Sequence, residues 1–111
     1  MWDEILETLE DLNTALSEAK ARGLEMTRAE AHYYTVKDKR AWELLEEGLS
    51  ATAIGMVIKG EPEVSEALQH FHEMEVLYKN AVEAVNVFKL RLRVLESQYE
   101  REWNRAGMSN L

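Results

Sequence analysis

Apolar residues return at alternating intervals of three and four along most of this chain, the period of helices that bury one face against another helix. The cleanest run follows the only proline and reads Val64, Ala67, Phe71, Met74, Tyr78, Ala81, Val85, Phe88, Leu92, Leu95 and Tyr99. Five heptads without a phase error predict a coiled-coil helix over 62–105. Pro62 fits the first helical turn, where its missing N–H is not needed, and Glu63 and Glu66 complement the positive end of the helix dipole. Leu68, Leu77, Val87 and Val94 lie beside the seam and broaden its apolar face, so this helix is expected to touch more than one neighbour.

A second run opens the chain with Trp2, Ile5, Leu9, Leu12, Leu16 and Ala19, then weakens into Gly23, Met26, Glu30, Tyr33 and Lys37. Two readings compete at the weak point. Gly23 could end the helix, with Thr27 and Glu30 as a capping box for another. Alternatively the helix continues to Glu47 at a cost of about 1 kcal/mol for the glycine. Continuity is the reading adopted, because a helix over 2–47 matches the one over 62–105 in length.

Gly48 is a helix stop, with Leu44 and Leu49 placed for the apolar contact of a Schellman cap. Ser50 offers an N-cap to a short helix over 51–59, whose Ala51, Ile54, Val57 and Ile58 would cover the turn. The predicted fold is all-α: one domain over 1–111, an antiparallel long-helix hairpin of coiled-coil type with a short helix at the turn. Pairing about that turn sets Leu9 near Tyr99, Leu16 near Leu92 and Trp2 near Trp103. A two-helix hairpin leaves apolar surface uncovered, so it is expected to dimerise into a four-helix bundle. The residues assigned to the packing and self-association seam are Phe71, Met74, Tyr78, Val85, Phe88, Leu92, Leu95 and Tyr99.

Charge adds a direction to this picture. Residues 1–19 carry six acidic and no basic side chains, whereas 79–105 carry six basic and four acidic ones. Antiparallel pairing would lay the acidic stretch from Asp3 to Glu18 beside Arg91, Arg93, Arg101 and Arg105, each exposed pair contributing ~0–1 kcal/mol. The net charge of −8 argues against broad duplex binding, which needs a surplus of cations. No cysteine is present, so disulfides and thiolate chemistry are excluded. The apolar runs are too short to span a bilayer, and the start at Met1-Trp2-Asp3-Glu4 lacks a signal peptide's basic and apolar regions. A cytoplasmic protein with no membrane partner is expected.

Candidate chemistry is sparse. Glu66, His70 and Glu73 share one helix face and could offer carboxylate and imidazole to a metal, with His72 beside them. A di-iron bundle, however, needs Glu followed three residues later by His on two helices, plus two more carboxylates. The expectation is therefore no metal and no cofactor, the histidine being a solvated surface residue. Ser50, Thr52 and Ser65 have no histidine nearby, no phosphate-cradling glycine loop occurs, and Glu43, Glu46 and Glu47 read as a solvated face. No enzyme is expected. Lys89, Arg91, Arg93, Arg101 and Arg105 could contact nucleic acid, with Tyr99 and Trp103 stacking on bases, but neutralisation by the acidic helix is the reading preferred. A smaller cluster, Lys37, Lys39 and Arg40, has the same low specificity. Trp42 and Tyr33-Tyr34 lie where the first seam weakens and either anchor a protein partner or pack beneath the short helix.

The segments Leu44-Leu45-Glu46-Glu47-Gly48, Ala51-Thr52-Ala53-Ile54, Lys59-Gly60-Glu61-Pro62-Glu63-Val64 and the run from Tyr78 to Lys89 resemble a group of small all-helical bacteriophage and prophage proteins. The resemblance covers about residues 28–103. It implies an accessory role among replication and recombination functions, in the host cytoplasm, and carries over no functional residue. The Trp-x-Gly turn of small secreted helical hairpins is absent from residues 48–62. Two functions are thus expected in order: a self-associating helical interaction protein with an unidentified protein partner, then a nucleic-acid-binding accessory factor using the basic face of the last helix.

Overall fold

The computed structural model describes residues 1–109 and is all-α, with no strand among the described residues. Helix α1 spans Trp2–Glu46, α2 spans Ala51–Val57, and α3 spans Pro62–Ser109. A single 3-10 turn, Ile58–Gly60, stands between α2 and α3. The α1 helix continues through Gly23, and α3 extends beyond the Arg105 end that the sequence predicts.

Local chemistry sets the breaks. Gly48 has a φ of 98°, a conformation that L side chains rarely adopt. Its N–H donates to the Leu45 carbonyl at 3.0 Å, and the Leu49 N–H donates to the Leu44 carbonyl at 3.1 Å. These two bonds close α1 in a Schellman motif and bring Leu44 and Leu49 into one apolar cluster. Ser50, in extended geometry, caps α2 by accepting the Ala53 N–H on its hydroxyl at 3.2 Å. Extended backbone at Glu61 then delivers Pro62 to the first position of α3, where the chain needs no amide donor.

The chain divides into two compact units, one formed by Ala21–Tyr78 and the other by Met1–Lys20 with the segment from Lys79 onward. The Ala21–Tyr78 unit holds the main core: Tyr33, Leu44, Ile58, Val64 and Ala67 are buried, with Val36, Ala41, Leu49, Ile54, Leu68 and Phe71 packed against them. Val64 is completely enclosed. Tyr33 stacks on Phe71 with ring centroids 6.4 Å apart. Tyr78 lies over Gly23 while Phe71 meets Tyr33, so the two long-helix segments run in opposite directions within this unit.

In the other unit, Ile5, Thr8, Ala15, Val85 and Leu95 are buried, and Trp2 packs on Tyr99 with centroids 5.7 Å apart. This contact corrects the predicted register. Tyr99 faces Trp2 rather than Leu9, a displacement of one heptad, and Trp103 is left 69% exposed. A heptad repeat matches its partner equally well after a slip of seven residues, so periodicity alone does not choose between these registers.

The seam of α1 also differs from the predicted one. Among its less exposed positions, Ile5, Thr8, Leu12, Ala15 and Ala19 in one unit and Arg22, Met26, Ala29, Tyr33, Val36 and Arg40 in the other follow one line along the helix. The spacing still alternates three and four, but every second member is displaced by one residue. Thr8 replaces Leu9, Ala15 replaces Leu16, and Ala29 replaces Glu30. In this phase Arg22 takes the seam position beside Gly23. Small residues stand at Thr8, Ala15, Ala19 and Ala29 of this seam, and Gly23 leaves room for the ring of Tyr78, an instance of large packed against small.

Candidate interaction surfaces

The residues assigned to the seam of α3 are withdrawn from solvent. Val85 and Leu95 are buried, and Phe71, Met74, Tyr78, Phe88, Leu92 and Tyr99 are half-buried. Phe71, Tyr78 and Tyr99 meet Tyr33, Gly23 and Trp2 of the same chain. This seam is therefore used within the chain, which corrects its assignment as the surface for self-association.

Other apolar side chains stay uncovered, and they form rows. In the unit that contains both chain ends, Trp2, Leu6, Leu9 and Leu16 on α1 are 56%, 43%, 38% and 44% exposed. On α3 of the same unit, Val87, Leu90 and Val94 are 62%, 61% and 50% exposed. Taking Ile5 and Val64 as heptad position a, the α1 row occupies positions e and b, and the α3 row occupies c and f. Neither row belongs to a seam. Contiguous uncovered apolar positions of this kind mark surfaces where another element packs.

Charge on these two helices does not pair as the sequence suggests. Among the described residues, Asp3, Glu4, Glu7, Glu10 and Asp11 make no ion pair within 4 Å, and neither do Lys89, Arg91, Arg93 and Arg101. Lys89, Arg91, Arg93, Arg101 and Arg105 are all exposed, yet they fall on several sides of α3 and form no single stripe. Tyr99, a candidate base-stacking ring, is engaged by Trp2.

In the Ala21–Tyr78 unit the strongest electrostatic feature is Arg40. Its Nη1 lies 3.0 Å from Glu43 Oε2 and 3.6 Å from Glu47 Oε1, and its Nε lies 3.5 Å from Glu61 Oε2. The hydrogen bond to Glu43 is the main reason that the guanidinium pKa is raised further, with Glu61 and Glu47 adding to it against a desolvation effect. Arg40 thereby ties the last turns of α1 to the entry of α3. Sequence reading places Arg40 in a basic cluster with Lys37 and Lys39, but Lys37 instead lies over the Tyr33 ring at 5.7 Å.

Glu66, His70 and Glu73 stay on one continuous helix, α3, but line different open grooves. Glu66 and His70 line one open groove with His32, Val36, Glu63 and Ala67. Glu73 lines a different one with Ser65, Leu68 and His72, and accepts a hydrogen bond from Gln69 Nε2 at 3.3 Å. No group of three or more His, Asp or Glu arranged to hold a metal ion occurs among the described residues. Sequence reading missed His32, which lies on α1 and meets the groove of His70 only through helix pairing.

Of the aromatics at the weak point, Tyr33 is buried, Tyr34 packs on it at 5.1 Å, and Trp42 is 66% exposed. Trp42 borders a shallow apolar hollow of about 390 Å³ with Leu45, Ala51 and Ile54. No helix among the described residues is long and apolar enough to cross a membrane. No protein-family model, curated protein or solved structure matches the chain, and its own surfaces therefore carry the functional reading.

Proposed function

We propose that this chain is a non-enzymatic helical assembly protein, a hairpin whose outer apolar rows pack against a second copy to give a four-helix arrangement. The observation that carries this reading is the uncovered row Trp2, Leu6, Leu9 and Leu16. Sedimentation at micromolar concentration tests the reading: particles of more than one chain are expected, and a folded monomer would remove the idea.

In the cell, the resemblance to small helical bacteriophage and prophage proteins supports an accessory role exercised through protein contacts, in the host cytoplasm. The acidic N-terminal segment and the exposed Trp42 suit a protein partner carrying basic and apolar groups. Affinity capture from lysogenic or infected cells distinguishes this role from the second reading, an accessory factor that binds nucleic acid through Lys89, Arg91 and Arg93. The second reading has the exposure of those side chains in its favour. It has against it the net charge of −8 and the engagement of Tyr99.

A further inference from the structure

We propose that two copies meet heterologously, the α1 row of one copy (Trp2, Leu6, Leu9, Leu16) seating on the α3 row of the next (Val87, Leu90, Val94). This inference rests on the self-association reading and specifies the pairing. Both rows belong to the same unit and both are uncovered. Their flanking charges are opposite. Residues 2–16 carry five acidic and no basic side chains, and residues 84–95 carry three basic and no acidic ones. The acids of the first segment and the bases of the second make no ion pair within 4 Å among the described residues. They are free to complement another copy.

Pairing like with like is disfavoured by the same charges. An α1-on-α1 contact sets Asp3, Glu7 and Glu10 against their own copies, and an α3-on-α3 contact does the same to Lys89, Arg91 and Arg93. Only the mixed contact lays apolar on apolar with acid against base. Geometry then determines what grows from it. In an antiparallel pair the e positions of both helices flank one side of the seam and the g positions the other. The α1 row, at e and b, and the α3 row, at c and f, therefore look to different sides of the unit. A closed two-fold contact cannot cover both rows at once. A heterologous contact leaves one row of each kind free at the ends, so copies add in sequence and the assembly passes beyond a dimer.

Two variants test this by complementation: Leu6→Glu with Leu16→Glu disables the α1 row, and Leu90→Glu with Val94→Glu disables the α3 row. Circular dichroism checks that each stays as helical as the wild type, and the corresponding Gln pairs replace any Glu pair that does not. By sedimentation velocity the wild type is expected to exceed dimer mass as concentration rises, each variant alone to be monomeric, and an equimolar mixture to form a capped dimer. Raising NaCl from about 0.05 to 0.5 M should weaken wild-type association roughly tenfold, whereas an acid-on-acid contact would tighten. A wild type that stops at a closed dimer, an α3-row variant that associates as the wild type does, or a mixture that stays monomeric overturns the pairing. A monomeric wild type overturns the self-association reading itself, so the two failures are distinguishable.

Discussion

The ring of Tyr78 occupies the space where a side chain on Gly23 would begin: a Cβ built on that glycine would stand 3.1 Å from Tyr78 Cε2 and 3.4 Å from Cδ2. The glycine that a sequence reader takes for a helix break is a seat for an aromatic residue on the facing helix. Its backbone is ordinary helix, so the reason for the missing side chain is tertiary. Gly23→Ala should gain less than the ~1 kcal/mol that alanine brings to a helix interior, because the ring must shift. In a Tyr78→Ala background the same substitution should return the full amount. Urea denaturation of the four proteins at one concentration measures the coupling, and equal effects in both backgrounds would show that the ring does not matter.

The phase of the α1 seam gives a second expectation. Thr8 is 1% exposed, while Leu9 beside it is 38% exposed. Thr8→Leu should destabilise by about 1–3 kcal/mol through overpacking, although it makes the seam more apolar. Leu9→Gln should cost the folded chain less, about 1 kcal/mol, because Leu9 is 38% exposed and lies outside the seam within the chain. The opposite ranking in urea melts would restore the phase that hydropathy suggests.

Thr8 carries a further consequence. Its hydroxyl donates to the Glu4 carbonyl at 2.8 Å, an oxygen that the helix already uses. Thr8→Val keeps the shape and leaves no buried group unsatisfied. Its stability should equal or exceed that of the wild type by up to about 1 kcal/mol. A loss of more than that would mean that the hydroxyl has a partner outside its own helix.

Val64 has no exposed surface and sits among Tyr33, Leu44, Ile58 and Ala67 at the start of α3. Val64→Ala removes two methyl groups and leaves a cavity, a change expected to cost about 2 kcal/mol. Hydrogen exchange should show the loss first in residues 41–67, where the cluster ties α2 and the 3-10 turn to the long helices. Uniform loss over the described chain would indicate instead that the chain unfolds as one cooperative body.

The α1–α2 connection offers the sharpest local test. Gly48→Ala meets no steric obstacle within 4 Å, yet it must adopt a φ of 98°. The strain should cost about 1 kcal/mol or more. Ser50→Ala removes the hydroxyl that caps α2, at a further cost of about 1 kcal/mol. The sites share one short connection, so their effects need not add. A thermal melt of the double substitution shows whether the connection responds as a unit.

Much of the secondary structure was legible before any coordinate was known. Alternating threes and fours specify helices, Gly48 and Pro62 mark where they stop and start, and Ser50 marks the cap between them, because these signals act within a few residues. The seam of α3 was legible too, since its alternating threes and fours run unbroken from Val64 to Tyr99 even beside the second apolar row of Val87, Leu90 and Val94. The seam of α1 was not. Leu9 and Leu16 outrank Thr8 and Ala15 in hydropathy, yet Thr8 and Ala15 are the buried member of each pair. Register escaped the sequence because a heptad repeat is unchanged by a slip of seven, and a contact such as Trp2 on Tyr99 is needed to choose. The sharing of one groove by His32 and His70 and the uncovering of Leu90 are of the same kind. Which face of a helix meets a neighbour depends on the shape of that neighbour, and only the packed structure supplies it.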